Sequence, residues 1–105
     1  MKLLVRRARA DQDIQAAVAF YLAQSATLAT GFVDALEQAF RHIQHQPGSG
    51  SPRYAHDLNL PGLRFWSCKR YPYLVFYVET EARIDIWRVL HGSRDIPAWL
   101  QDGAS

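Results

Sequence analysis

The chain has one cysteine, Cys68, among 105 residues. A lone thiol excludes an intramolecular disulfide and a thiolate metal cluster. No apolar run approaches the roughly 18 residues that a membrane-spanning helix needs, so no membrane partner is expected. The opening MKLLVRRARA holds three apolar residues between Lys2 and Arg6, too few for a secretion-signal core, and the expectation is a cytoplasmic protein. A strong charge of either sign is also missing: 12 Lys and Arg face 10 Asp and Glu, a formal net charge of +2. There are no internal repeats.

What remains is ordinary material for a folded domain. Hydrophobic residues make up 49% and charged residues 21%, which excludes a disordered chain. The length fits one domain, 1–105, with one modest core. The mild positive charge is uneven. Between residues 64 and 94 stand Arg64, Lys69, Arg70, Arg83, Arg88 and Arg94 against Glu79, Glu81 and Asp85. Such an excess suits an acidic partner and equally a solvated face.

Periodicity gives the order of elements. KLLVR (2–6) reads as a short strand with Leu3 and Val5 on one face. Asp11 and Asp13 stand where a helix start favours acids, and Ile14, Ala17, Val18, Tyr21 and Leu22 recur at helical spacing. A break at 25–27 precedes a second helical pattern, Leu28, Phe32, Leu36, Ala39, Phe40 and Ile43, with Thr27 as the expected N-cap and Pro47 as the stop. So short a link predicts an antiparallel helical hairpin. PGSGSP (47–52) is loop chemistry. Beyond it LRFWS (63–67), YLVFYV (73–78) and RIDIWRVL (83–90) read as strands, the last two joined by ETEA. Arg88 shares parity with Ile84 and Ile86, so either a bulge resets the face there or the arginine is buried and paired. Ile96 to Leu100 predicts a closing helical turn capped by Asp95. The sum is an α+β fold: N-terminal strand, antiparallel helical hairpin, three-stranded antiparallel sheet and short C-terminal helix. One face of that sheet is expected to lie open.

Several residues carry two readings each. His91 is a candidate acid or base, or a hydrogen-bonded residue closing a strand. Arg94, before Asp95, is a phosphate contact or half of an ion pair. Arg64, Lys69 and Arg70, interleaved with Tyr71 and Tyr73, make a binding patch or a solvated turn. Trp66, Trp87 and Trp99 are core or partner contacts. His42 and His45 have helical spacing for a shared metal but no third ligand, so no metal or cofactor is expected.

The segments GLRFWSCKRYPYLVFYVE (62–79) and RIDIWRVLHGSRDIP (83–97), with the preceding helical hairpin, resemble the RelE/ParE superfamily of toxins from type II toxin–antitoxin and plasmid-stabilisation modules. The signature RVLHGSRD is the more specific part. RelE-like members are ribonucleases acting on the ribosome, and for them the resemblance implies Arg64, His91 and Arg94 as the catalytic candidates. Trp66, Tyr73 and Leu100 stand where that branch has a lysine, an arginine and a tyrosine. The resemblance is therefore to the ParE branch, which implies inhibition of DNA gyrase by binding, without catalysis. It implies neutralisation by a ParD-like ribbon-helix-helix antitoxin, and contact with DNA only through antitoxin or gyrase. A third reading is a non-toxic, antitoxin-binding co-repressor. The surface expected to meet target or antitoxin comprises Arg64, Lys69, Arg70, Tyr71, Tyr73, Trp87, Arg88, Arg94 and Trp99, with the apolar rim of the helical hairpin.

Overall fold

Apolar residues alternating with polar ones form the sheet, and apolar residues at helical spacing cover it. The structure is a computed structural model, and it describes residues 1–102. Strand β1 (Leu3–Arg6) leads into α1 (Ala8–Leu22) and α2 (Ala26–His45). A 3₁₀ turn at Pro47–Ser49 and a short helix, α3 (Arg53–Asp57), follow. Then come β2 (Leu63–Ser67), β3 (Tyr73–Glu79), β4 (Arg83–His91) and α4 (Ile96–Asp102). The three later strands form the antiparallel meander expected, and β1 joins it as a fourth strand, parallel to β4, in the order β1-β4-β3-β2.

The α1–α2 hairpin closes through Ser25, not Thr27. The Ser25 hydroxyl accepts the amides of Thr27 (3.1 Å) and Leu28 (3.3 Å), two donors that have no partner inside the helix. Helix α1 begins at Ala8, before both acids proposed for its start, and only Asp11 lies in its first turn. In β1, Leu3 and Val5 share one face as expected; that face is exposed, and Leu4 on the other packs against the core.

The helices bury Phe32, Leu36, Ala39 and Ile43 against Val75, Tyr77, Ile84, Ile86 and Val89 of the sheet. The opposite face is not open. Leu63, Phe76, Leu90, Ile96 and Leu100 form a second cluster there, covered by Tyr54, Leu58, Leu60, Trp87 and Trp99. The loop after α2 is tied to the sheet by the buried Tyr77 hydroxyl, which donates to the Pro47 carbonyl (2.7 Å) and accepts the Gly50 amide (3.1 Å). Gly50 has no room for a side chain, because a Cβ there would collide with that same hydroxyl.

Arg88 satisfies both alternatives left open by its parity. Phe76 pairs with Arg88 and Tyr77 with Ile86, so Trp87 is the extra residue of a β-bulge. The bulge returns Val89 to the helix-side core and sends Leu90 to the other. Arg88 itself is 2% exposed. Its Nε and Nη2 donate to the two Asp13 carboxylate oxygens at 2.7 and 2.9 Å, and Nη1 donates to the Trp99 carbonyl at 2.8 Å. The amide of Val89 donates to the same Asp13 carboxylate at 3.0 Å. One planar cation thereby joins α1, β4 and α4.

Candidate functional site

Two segments distant in sequence meet at one end of the sheet. Tyr73 pairs with His91, and the Gly92 amide donates to the Pro72 carbonyl at 2.7 Å. The β2–β3 turn carrying Lys69 and Arg70 thus lies beside the segment His91–Asp95. Arg70 holds a positive φ of 70°, which costs a non-glycine residue roughly 1–2 kcal/mol. The turn is fixed from both sides: the Cys68 amide donates to the Tyr73 carbonyl (2.9 Å), and the Tyr71 hydroxyl donates to the Leu28 carbonyl of α2 (2.9 Å). Gly31 makes that anchor possible, since a Cβ at this position would strike the Tyr71 hydroxyl. Lys69 and Arg70 remain exposed.

Arg94 is exposed, with its guanidinium 4.6 Å from the centroid of Trp99. Its amide donates to the His91 carbonyl (3.0 Å), and Asp95 accepts the Ala98 amide (3.3 Å), capping α4 as expected. His91 is committed locally. Its Nδ1 accepts the Ser93 backbone amide at 3.0 Å and lies 2.7 Å from the Ser93 hydroxyl. An amide can only donate, so Nδ1 is unprotonated and the proton of the neutral ring sits on Nε2. In that tautomer the outward nitrogen is a donor and not a base.

The other residues of the expected surface divide. Tyr73 packs among Tyr21 and Phe32, with His91 edge-on at 5.2 Å. Burial raises its hydroxyl pKa, partly offset by the charge of Arg94. Trp99 is half-buried between the guanidinium groups of Arg88 and Arg94. Arg64 lies elsewhere: its Nη1 donates to the Gly50 carbonyl at 2.7 Å. It pairs with Tyr77, four residues along β3 from Tyr73, which at about 3.3 Å per residue puts it about 13 Å along the sheet from the His91 end. Trp87 packs in the second core beneath the Arg7 guanidinium at 4.5 Å. Arg88 has the burial of a core residue, which corrects its expected place on a contact surface. Trp66 stacks on His42 at 3.7 Å, and His42 and His45 turn to separate partners, Ser49 and the Arg41 carbonyl. Cys68 is buried, and burial pushes its thiol up to about 11.

A cleft of about 520 Å³ opens between α1 and the C-terminal half of β4. It exists because β1 pairs with β4 only as far as Ile86, so beyond that point no strand lies alongside. Asp13, Ala16, Ala17 and Phe20 form one wall; Val89, Leu90 and His91 form the other; Tyr73, Ser93, Arg94 and Trp99 close it. Asp13 belongs to this site although no motif marked it. The signal was Arg88, one of whose two readings by parity was a buried, paired arginine that would need an acid.

A family model described as "ParE toxin of type II toxin-antitoxin system, parDE" matches residues 4–96. Among solved structures, a chain of "Chromosomal ParDE TA system from P. aeruginosa" superposes with a TM-score of 0.71 at 21% identity, covering 87% of this chain and 96% of that one. At that identity the likeness carries the fold. No curated protein is significantly similar to the chain. The family match spans both long helices, all of the sheet but Leu3, and every residue lining the cleft but Trp99, and the chain belongs to the ParE toxins of type II toxin–antitoxin systems.

Proposed function

We propose that this ParE toxin acts by binding DNA gyrase, and that a ParD-like ribbon-helix-helix antitoxin holds it inactive in the cytoplasm, where gyrase works. The observation that carries the reading is the dispersal of the groups an RNA-cleaving site would need. Cleavage beside a 2′-hydroxyl requires a base for that proton, an acid for the leaving oxygen and cations for the developing phosphorane, all within hydrogen-bond reach. Arg64 is committed to the Gly50 carbonyl and stands about 13 Å along the sheet from His91. His91 offers a donor only, its Nδ1 being occupied by Ser93. What remains at the sheet end is a contact surface of Lys69, Arg70, Arg94 and Trp99, suited to meeting a macromolecule.

Induction in growing cells separates the readings. Binding to gyrase predicts arrested division and DNA damage while translation continues, with growth restored by co-expression of the protein from the adjoining reading frame. Ribosome-dependent cuts in messenger RNA would overturn it in favour of a RelE-like ribonuclease. Absence of any growth defect would favour the non-toxic co-repressor.

A further inference from the structure

Most basic side chains in this fold have a partner. Lys2, Arg6, Arg7, Arg83 and Arg88 sit in ion pairs, Arg64 is bonded to the Gly50 carbonyl, and Arg53 and Arg94 lie over aromatic rings. Among the described residues, Lys69 and Arg70 make no ion pair, side-chain hydrogen bond or ring contact, and both are exposed. They line a groove between α2 and the β2–β3 turn. Two hollows, of about 430 and 280 Å³, share Ala35, Gln38 and Lys69 and so form this one groove. Its α2 wall runs from Gly31 to His42, about 16 Å of helix at about 1.5 Å per residue. It shares no lining residue with the α1–β4 cleft.

We infer that this groove binds single-stranded DNA directly, Trp66 stacking against a base while Lys69 and Arg70 contact phosphates. The class of ligand comes from the groove, and only the choice of DNA over RNA rests on the gyrase reading above. It gives a direct contact with DNA to a toxin expected to meet DNA only through antitoxin or gyrase. Trp66 lines the groove at the end away from Tyr71. Its half-buried indole is held in one orientation, stacked on the His42 ring at 3.7 Å with 17° between the planes. His42 is itself tied to the Ser49 hydroxyl at 2.8 Å. A ring fixed beforehand stacks on a base with little further loss of rotamer freedom, and cations beside it track the backbone. Gln38, exposed on the α2 wall between these groups, carries an amide that both donates and accepts, as base edges do.

Charge and shape choose among occupants. A duplex carries one negative charge per about 1.7 Å and keeps its base faces stacked inside, so two cations and a ring in the wall suit a single strand. An acidic peptide would use the cations and leave Trp66 and Gln38 without a role. Asp34, exposed and lining the same hollow as Arg70, opposes either anion and leaves the groove a surplus of one positive charge. Binding is therefore weak, with a dissociation constant on the order of 10⁻⁴ M, the weak end of non-specific contact. Such an affinity serves a toxin already held on gyrase, where tethering makes the local concentration of DNA high.

The test titrates purified toxin, without gyrase or antitoxin, into fluorescein-labelled oligothymidylate of about eight nucleotides and reads anisotropy. The wild type should show a slope of log K against log salt of about −1.4, the value for two phosphates neutralised on a single strand, and Lys69→Ala should halve it. Trp66→Ala should weaken binding by about tenfold, as for the loss of one stacked base. Arg70→Glu should weaken it too, whereas Asp34→Asn should tighten it, a gain that lost folding cannot imitate. Arg53→Glu, on α3 at the other face of the sheet, should bind as wild type. Lys69, Arg70 and Asp34 are exposed, so an unchanged Tm is expected and their effects read binding alone, even if Trp66→Ala lowers Tm. No binding at about 1 mM toxin would overturn the inference, and so would an equal loss in Arg53→Glu, which would show diffuse attraction. Tighter binding of oligouridylate or of polyglutamate, lost in Arg70→Glu, would assign the groove to RNA or to an acidic peptide and overturn it as well. Supercoiling by gyrase tests the gyrase reading separately, so either can fail while the other stands.

Discussion

Asp13→Ala removes the partner of a buried cation, and its effect follows from four hydrogen bonds. The carboxylate accepts two from Arg88 and one from the Val89 amide, while Arg88 keeps its bond to the Trp99 carbonyl. The side chains are 3% and 12% exposed, so water reaching the site from the cleft that Asp13 lines replaces only part of the lost acceptor. Breaking a buried pair from one side costs about 3–5 kcal/mol, and an orphaned buried amide adds about 1–3 kcal/mol. Against a total stability of about 5–15 kcal/mol, the variant should be barely folded. The double variant Asp13→Leu, Arg88→Met should recover much of the loss, because a buried pair replaced on both sides by apolar groups is often near neutral; only the Val89 amide stays orphaned. Urea unfolding followed by tryptophan fluorescence measures both, with Trp87 and Trp99 adjoining the pair. A loss under about 1 kcal/mol in Asp13→Ala, or a double variant weaker than the single one, would refute the assignment of this pair as the bond between α1, β4 and α4.

Three further outcomes follow from the hydrogen bonding and burial of single side chains. Ser25→Ala should cost about 1 kcal/mol by removing the cap of α2, and Thr27→Ala much less, which a pair of urea curves resolves. Tyr77→Phe should cost about 1–3 kcal/mol, since the Pro47 carbonyl and Gly50 amide lose their shared partner; hydrogen exchange at Gly50 should rise with it. The Cys68 thiol ordinarily ionises near 9 and is raised to about 11 in the fold, so its stabilising contribution is complete below pH 9 and is lost as pH rises through 11. Stability measured across that window should fall less steeply in Cys68→Ala, and alkylation of Cys68 at pH 8 should be slow until the protein unfolds.

Most of the fold was legible because each segment obeys one period. The helical pattern from Phe32 to Ile43 buries one stripe and the β-rich runs around Phe76 and Ile84 read as strands, and both signals can be read without tertiary knowledge. The errors share a cause. The shared face of Leu3 and Val5 was legible in β1, but which face meets the core was not, because a short edge strand is oriented by its neighbour β4, which selects Leu4. The second cluster was missed because α3 is only five residues long and the segment after it reads as loop. Thr27 and Ser25 are equivalent as sequence, and the backbone geometry at the break chooses Ser25. For the site, the approach of the Lys69–Arg70 turn to His91 follows from strand pairing and could be anticipated. The separation of Arg64 from Arg94 depends on register, which the pattern does not encode; the parity of Arg88 raised both its bulge and its burial, but the partner Asp13 that withdraws it from the contact surface lies 75 residues away in sequence.

The most direct test of the central claim uses purified toxin, purified gyrase and relaxed plasmid, with ATP, and reads supercoiling on a gel. The account predicts that the toxin blocks supercoiling or traps cleaved DNA in proportion to its concentration, and that the antitoxin added in equal amount restores activity. Full supercoiling at saturating toxin, under conditions where the same preparation arrests cell growth, would contradict it.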